Sequence, residues 1–85
     1  EPAMVPRSRP VWLLPAPERL GLMAGQPGWQ GPLLLEHGPE RIESGWWDGG
    51  DVRRDYYRAG NPGGAMLWVY QDLRSQDWYL HGVFG

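Results

Sequence analysis

The sequence predicts a small all-β domain, an antiparallel meander curled into a partly open barrel and led in by an extended proline-rich segment. Three observations carry this expectation. Four of the six tryptophans, all four tyrosines and the only phenylalanine lie between Trp46 and Phe84. In the same stretch, apolar or alternating runs of strand length recur about every 8–12 residues with turn residues between them, the spacing of small all-β domains. Thirteen glycines and nine prolines in 85 residues leave no uninterrupted stretch that asks for a long helix.

The elements follow in order. Residues 1–10 hold three prolines and two arginines and read as a linker from a preceding domain; residues 11–85 read as one small β domain. The chain begins Glu1-Pro2-Ala3, as a piece of a longer protein would. Val11-Trp12-Leu13-Leu14, stopped by Pro15 and Pro17, suits a short edge strand or a segment laid across the core. Residues 18–28 are broken by Gly and Pro, and no helix is expected there. Leu33-Leu34-Leu35-Glu36 is a strand, His37-Gly38-Pro39 a turn, and Glu40-Arg41-Ile42-Glu43-Ser44 a second strand. Asp48-Gly49-Gly50-Asp51 has loop chemistry.

Residues 52–59 form a strand with Arg54, Tyr56 and Arg58 on one face and Arg53, Asp55 and Tyr57 on the other. Gly60-Asn61-Pro62-Gly63-Gly64 is a hairpin connection. Residues 65–71 put Leu67 and Val69 on one face and Met66, Trp68 and Tyr70 on the other. Arg74-Ser75-Gln76-Asp77 turns into a last aromatic strand, 78–84. Because both faces of 66–70 are apolar, that strand is either covered on both sides, with 11–14 and 33–35 as the cover, or exposes one aromatic face. Leu67, Val69, Trp78 and Leu80 are assigned to the core. With no cysteine, aromatic burial must supply what disulfides or metal would otherwise give so small a chain.

Composition excludes several functions. Eight arginines, no lysine and ten acidic residues give a net charge of −2, which sets the domain apart from strong non-specific phosphate binders. No apolar run is long enough to span a bilayer as a helix and no signal peptide is seen, so a cytoplasmic protein with no membrane partner is expected. Ser8, Ser44 and Ser75 lack a nucleophile-elbow context, and no glycine loop continues into Lys-Ser/Thr. His37 reads as a turn cap and His81 as a hydrogen-bonded structural histidine; two distant histidines without cysteine make no zinc site. Asp48, Asp51 and Asp55 read as a solvated loop beside Arg53-Arg54. No catalytic residue, cofactor, metal or small-molecule substrate is expected, and the chain reads as a binding module rather than an enzyme.

The candidate contact residues are Trp46, Trp47, Arg53, Arg54, Tyr56, Tyr57, Arg58 and Phe84. Interleaved Arg and Tyr are enriched at protein interfaces and also stack nucleobases, while the structural alternative is cross-strand pairing within the sheet. Adjacent Trp46 and Trp47 in an extended chain point to opposite faces, which makes one of them a candidate hot spot.

The runs Gly38-Pro39-Glu40-Arg41-Ile42, Trp46-Trp47, Arg54-Asp55-Tyr56-Tyr57, Leu67-Trp68-Val69-Tyr70 and Trp78-Tyr79-Leu80-His81-Gly82-Val83-Phe84-Gly85 resemble the C-terminal region of ImuB, a Y-family DNA-polymerase-like protein of the bacterial mutasome. The proline-rich lead-in, with Arg9-Pro10 and Leu13-Leu14-Pro15-Ala16-Pro17-Glu18, is similar to the segment that joins the polymerase-like body to this tail. The resemblance is densest over 38–85 and loose over 26–36. It implies a protein without polymerase activity that acts as an adaptor in damage-induced, error-prone translesion synthesis. It would tether the RecA-like accessory protein ImuA and the error-prone C-family polymerase ImuC. It carries no residue-level roles. Two other expectations stand beside this one: a weak single-stranded DNA contact through Tyr56, Tyr57, Arg53, Arg54 and Arg58, and a tail that only stabilises the polymerase-like body.

Overall fold

The computed structural model describes residues 12–44 and 52–84, and these form an all-β sheet of six antiparallel strands curled into a half-barrel. In chain order the strands are β1 (Trp12–Met23), β2 (Gln26–Gly28), β3 (Leu34–Ser44), β4 (Val52–Gly60), β5 (Met66–Asp72) and β6 (Trp78–Phe84). Across the sheet the order is β2-β1-β6-β5-β4-β3. The meander expected of the last three strands is β4 to β6; β3 extends it beside β4, and β1 joins it by pairing with β6, Trp12 opposite Val83 and Leu20 opposite Trp78.

Local chemistry sets the turns. Between β4 and β5 the Asn61 side chain accepts a hydrogen bond from the Ala65 amide at 2.8 Å, and its backbone amide donates to the Ala65 carbonyl at 3.0 Å. Between β5 and β6 the Asp72 carboxylate accepts from the Arg74 amide at 2.8 Å, an Asx turn of the kind this residue favours.

Two expectations about the N-terminal half are corrected. The strand at 11–14 does not stop at Pro15 and Pro17. The β1–β6 register shifts between Leu13, opposite Gly82, and Glu18, opposite Leu80, so the prolines occupy an unpaired excursion that demands no backbone donor. The strand then continues through Met23, and Gly21–Met23 pairs with β2. Likewise His37-Gly38-Pro39 is not a turn between two strands. It lies inside one strand, β3, which absorbs two extra residues as bulges between Leu35 and His37 and between His37 and Glu40. The Gly38–Pro39 peptide is cis, and Gly38 has φ 127°, a conformation glycine adopts without steric cost. A Cβ at Gly38 would lie 2.6 Å from the Tyr56 carbonyl oxygen, so β3 and β4 could not approach as they do with any other residue there.

The aliphatic core fills the concave side: Leu20, Leu33, Ala59, Leu67, Val69 and Leu80, with Leu14, Trp29, Tyr57, Trp78 and Val83 packed against it. Leu33, Leu67, Val69 and Leu80 are almost wholly buried, and each contributes about 1.5–3 kcal/mol relative to an exposed side chain. The cover differs in part from the expectation. Leu14 and Leu33 do pack on the core, but Trp12, Leu13, Leu34 and Leu35 are exposed, and Leu20 and Trp29 complete the layer instead. A backbone hydrogen bond from the Leu33 amide to the Pro27 carbonyl, 2.9 Å, ties β2 to the residues that lead into β3.

Candidate docking site

The opposite face of β4, β5 and β6 is built from rings. Directly paired residues of an antiparallel sheet share a face, so Arg54, Tyr56 and Arg58 of β4 line up with Trp68 and Tyr70 of β5 and Tyr79 of β6. The Tyr56 ring stacks on Trp68 at 4.2 Å between centroids and lies 5.0 Å from Tyr70, which stacks on Tyr79 at 5.1 Å. Ile42 from β3 and Phe84 from the end of β6 pack at the margins.

A bulge in β6 brings in two further groups. Val69 pairs with Leu80 but Trp68 pairs with Gly82, so His81 is the extra residue. It stays on the aromatic face, its imidazole nearly parallel to the Trp68 indole at 10° and 5.2 Å. Its Nδ1 lies 2.8 Å from the Tyr56 hydroxyl, which also accepts a hydrogen bond from the Arg54 guanidinium at 3.1 Å. This is the hydrogen-bonded structural histidine that its apolar strand context suggested. The same extra residue turns Phe84 onto this face beside Met66, where strict alternation from Trp78 and Leu80 would have sent it into the aliphatic core.

Cations lie over the rings. The Arg54 guanidinium carbon is 4.4 Å from the centroid of Tyr70, and that of Arg58 is 4.5 Å from the centroid of Phe84. Burial pushes the Tyr70 phenol up to about 12. Arg58 differs from its neighbours in one respect: its Nε is buried without a hydrogen-bond partner among the described residues. An unsatisfied buried donor typically costs about 1–3 kcal/mol.

The sequence-expected contact residues are distributed unevenly over this architecture. Arg54, Tyr56, Arg58 and Phe84 come together on the aromatic face. Tyr56, however, is only 3% exposed and organises the face rather than offering a free ring. Tyr57 is on the other side, 5.4 Å from Trp78 in the aliphatic layer, where burial raises its phenol above the ordinary value. Arg53 is exposed and shares that side of β4. Trp46 and Trp47 lie outside the described residues, as do Asp48 and Asp51 of the acidic loop. Trp68, Tyr70, Tyr79 and His81 were not among the expected contact residues; the alternation of 66–70 was the signal that Trp68 and Tyr70 share a face with Tyr56.

Asp55, the buried acid of β4, is bound by the Arg41 guanidinium through two hydrogen bonds of 2.8 and 3.2 Å. Those bonds hold its carboxyl below the usual carboxylate range. The pair clamps β3 to β4 on the side away from the rings.

Two grooves open beside these elements. One, of about 320 Å³, is lined by His37, Gly38, Glu40, Tyr56, Tyr57, Arg58 and Trp68. His37 therefore sits on a groove wall opposite Arg58 rather than capping a turn. The other, of about 300 Å³, lies between β1 and the start of β6 and includes Arg19, whose guanidinium is already paired with Asp77 at 3.2 Å. Among the described residues no three His, Asp or Glu side chains gather to hold a metal ion, and no helix is long and apolar enough to cross a membrane. Compared with protein-family models, curated proteins and solved structures, the chain matches none.

Proposed function

We propose that this chain is a non-catalytic docking domain of an error-prone translesion-synthesis protein, acting in the bacterial cytoplasm and tethering mutasome partners such as an ImuA-like accessory protein and an error-prone C-family polymerase. The observation that carries the docking reading is the half-exposed rim of the aromatic face, where Arg54, Arg58, Tyr79 and Phe84 are held in place by the buried rings of Tyr56, Trp68 and Tyr70. Aromatic rings and arginine are the residue types that dominate binding energy at protein interfaces, and here they are fixed in place by stacking and hydrogen bonds before any partner arrives. The resemblance of residues 38–85 to the C-terminal region of ImuB supplies the identity of the partners.

The test is direct binding of the purified 85-residue chain to each partner, with the full-length parent protein as the positive control. Binding in the micromolar range or tighter is expected. Failure of the chain where the parent succeeds overturns the reading, and a deletion that spares partner binding but lowers the melting temperature turns the domain into a stabilising tail. Single-stranded DNA is the weaker alternative. A stacking platform needs neighbouring accessible rings, whereas Tyr56 is buried and Tyr57 points to the opposite side of the sheet.

A further inference from the structure

We infer that the groove beside Arg58 takes a single carboxylate, an aspartate or glutamate side chain carried on an otherwise apolar segment of a partner protein. The inference deepens the docking reading and rests on it. The other cations described on this sheet are engaged: Arg19 with Asp77, Arg41 with Asp55, Arg54 with the Tyr56 hydroxyl, and Arg53 and Arg74 with partners of their own. No ion pair to Arg58 is found among the described residues, and its Nε has no acceptor. Packing against the Phe84 ring, not a hydrogen bond, holds the guanidinium, so it stands oriented before a ligand arrives.

The ligand class follows from what surrounds that charge. A planar guanidinium that makes no ion pair among the described residues matches a carboxylate in geometry and sign, and such charge-assisted bonds are among the stronger ones. Trp68, Tyr57 and Gly38 give the groove largely apolar walls, which suit the flanks of an apolar peptide. Glu40 lines the same groove and the chain carries a net charge of −2, so a strand of repeated phosphates meets more repulsion than one carboxylate placed on Arg58. A space of about 320 Å³ accommodates one side chain with part of its neighbours.

Nitrogen–proton correlation spectra of the uniformly labelled 85-residue chain test this through the Trp68 indole N–H and the backbone amides of His37, Gly38, Glu40 and Tyr57, which wild type and variants share, with the Arg58 Nε–Hε resonance as a further reporter in the wild type. Three probes are titrated: the capped tripeptide acetyl-Leu-Glu-Leu-amide, its glutamine counterpart, and a deoxythymidine octanucleotide. The expected result is a saturable shift with the glutamate peptide, at roughly tenfold or more higher affinity than with the glutamine peptide. It is lost in Arg58→Met and partly kept in Arg58→Lys. Equal response to both peptides, no response to either, tighter binding of the oligonucleotide, or undiminished binding to Arg58→Met overturns it. Should Arg58→Met not fold, Arg58→Gln takes its place, with spectral dispersion as the check. The accessory protein and polymerase of the docking reading are then titrated against wild type and variant. Partners that bind both equally well sink the carboxylate site alone, whereas a chain that answers to the glutamate peptide but to neither partner sinks the docking reading alone.

Discussion

The two faces of β4, β5 and β6 share a backbone yet are held together by different physics. On the concave side Ala59, Leu67, Val69 and Leu80 exclude water without directional contacts. On the convex side Tyr56, Trp68, Tyr70, Tyr79 and His81 are fixed by ring geometry, with a hydroxyl bound to an imidazole and to a guanidinium. Burial is equally deep on both, since Trp68 and Tyr70 are each 3% exposed and Leu80 is 2% exposed. The difference lies in specificity. An aliphatic layer tolerates any well-fitting hydrocarbon, whereas a polar aromatic layer needs each partner in its place. Tolerance of substitution belongs to the first, and a single fixed geometry to the second.

The most forceful way to break this division is to empty the concave side. Leu67→Ala, at a site with no exposed surface, should lower the unfolding free energy by about 3–5 kcal/mol in urea denaturation, a large share of what an 85-residue domain has. Next in size is Gly38→Ala, which strains a positive-φ position and drives a methyl group against the Tyr56 carbonyl; a loss of about 3 kcal/mol is expected from the two effects together. A variant that kept wild-type stability would show that β3 and β4 can separate without penalty.

Asp55→Asn should cost about 1–3 kcal/mol by removing the charge that accepts both Arg41 bonds. The pH dependence sharpens that claim. The folded Asp55 carboxyl titrates below its unfolded value, so its contribution is fully present above about pH 4 and disappears as pH falls through the lowered folded value. Stability of the wild type, measured by denaturation across the acid range, should converge on that of Asp55→Asn at the low end. Smallest is Tyr56→Phe, which keeps the stacked ring and deletes the hydroxyl shared by Arg54 and His81; about 1 kcal/mol is expected. The convex face answers to alkali in the opposite sense. Tyr70 is raised to about 12, so its contribution holds below about pH 10 and is lost as pH rises toward 12, a window that tyrosinate absorbance during alkaline unfolding will reveal.

Much of this division is legible in the sequence, because alternation alone separates Leu67 and Val69 from Trp68 and Tyr70, and Tyr56 from Tyr57. The grouping of Tyr57 and Arg53 with Tyr56, Arg54 and Arg58 as one contact surface follows composition instead, and the pleat divides that group in two. What alternation misses are the interruptions. A bulge at His81 moves Phe84 to the convex face, an unpaired excursion lets β1 continue past two prolines, and bulges carry β3 through Gly38-Pro39. Each depends on whether a strand on the far side of the sheet supplies a partner, and that is a tertiary matter. The unpaired state of the Arg58 Nε is likewise invisible along the chain, since the sequence places Asp55 only three residues away, yet the pleat gives that acid to Arg41 on the other face.

The two bulges of β3 also set a rule for insertions and deletions. Leu35 opposes Ala59 and Arg41 opposes Asp55, six steps on one strand against four on the other. The excess is even, so side chains beyond the irregular stretch keep the facing they would have in an unbroken strand. Removing one residue from 36–39 leaves a single bulge, the arrangement that β6 already uses at His81, and pairing keeps Arg41 opposite Asp55. Removing two gives a shorter, straighter strand with the same pairs. Length variants that lose one or two residues here should therefore keep the Arg41–Asp55 clamp, whereas a third loss would pull the flanking pairs out of register.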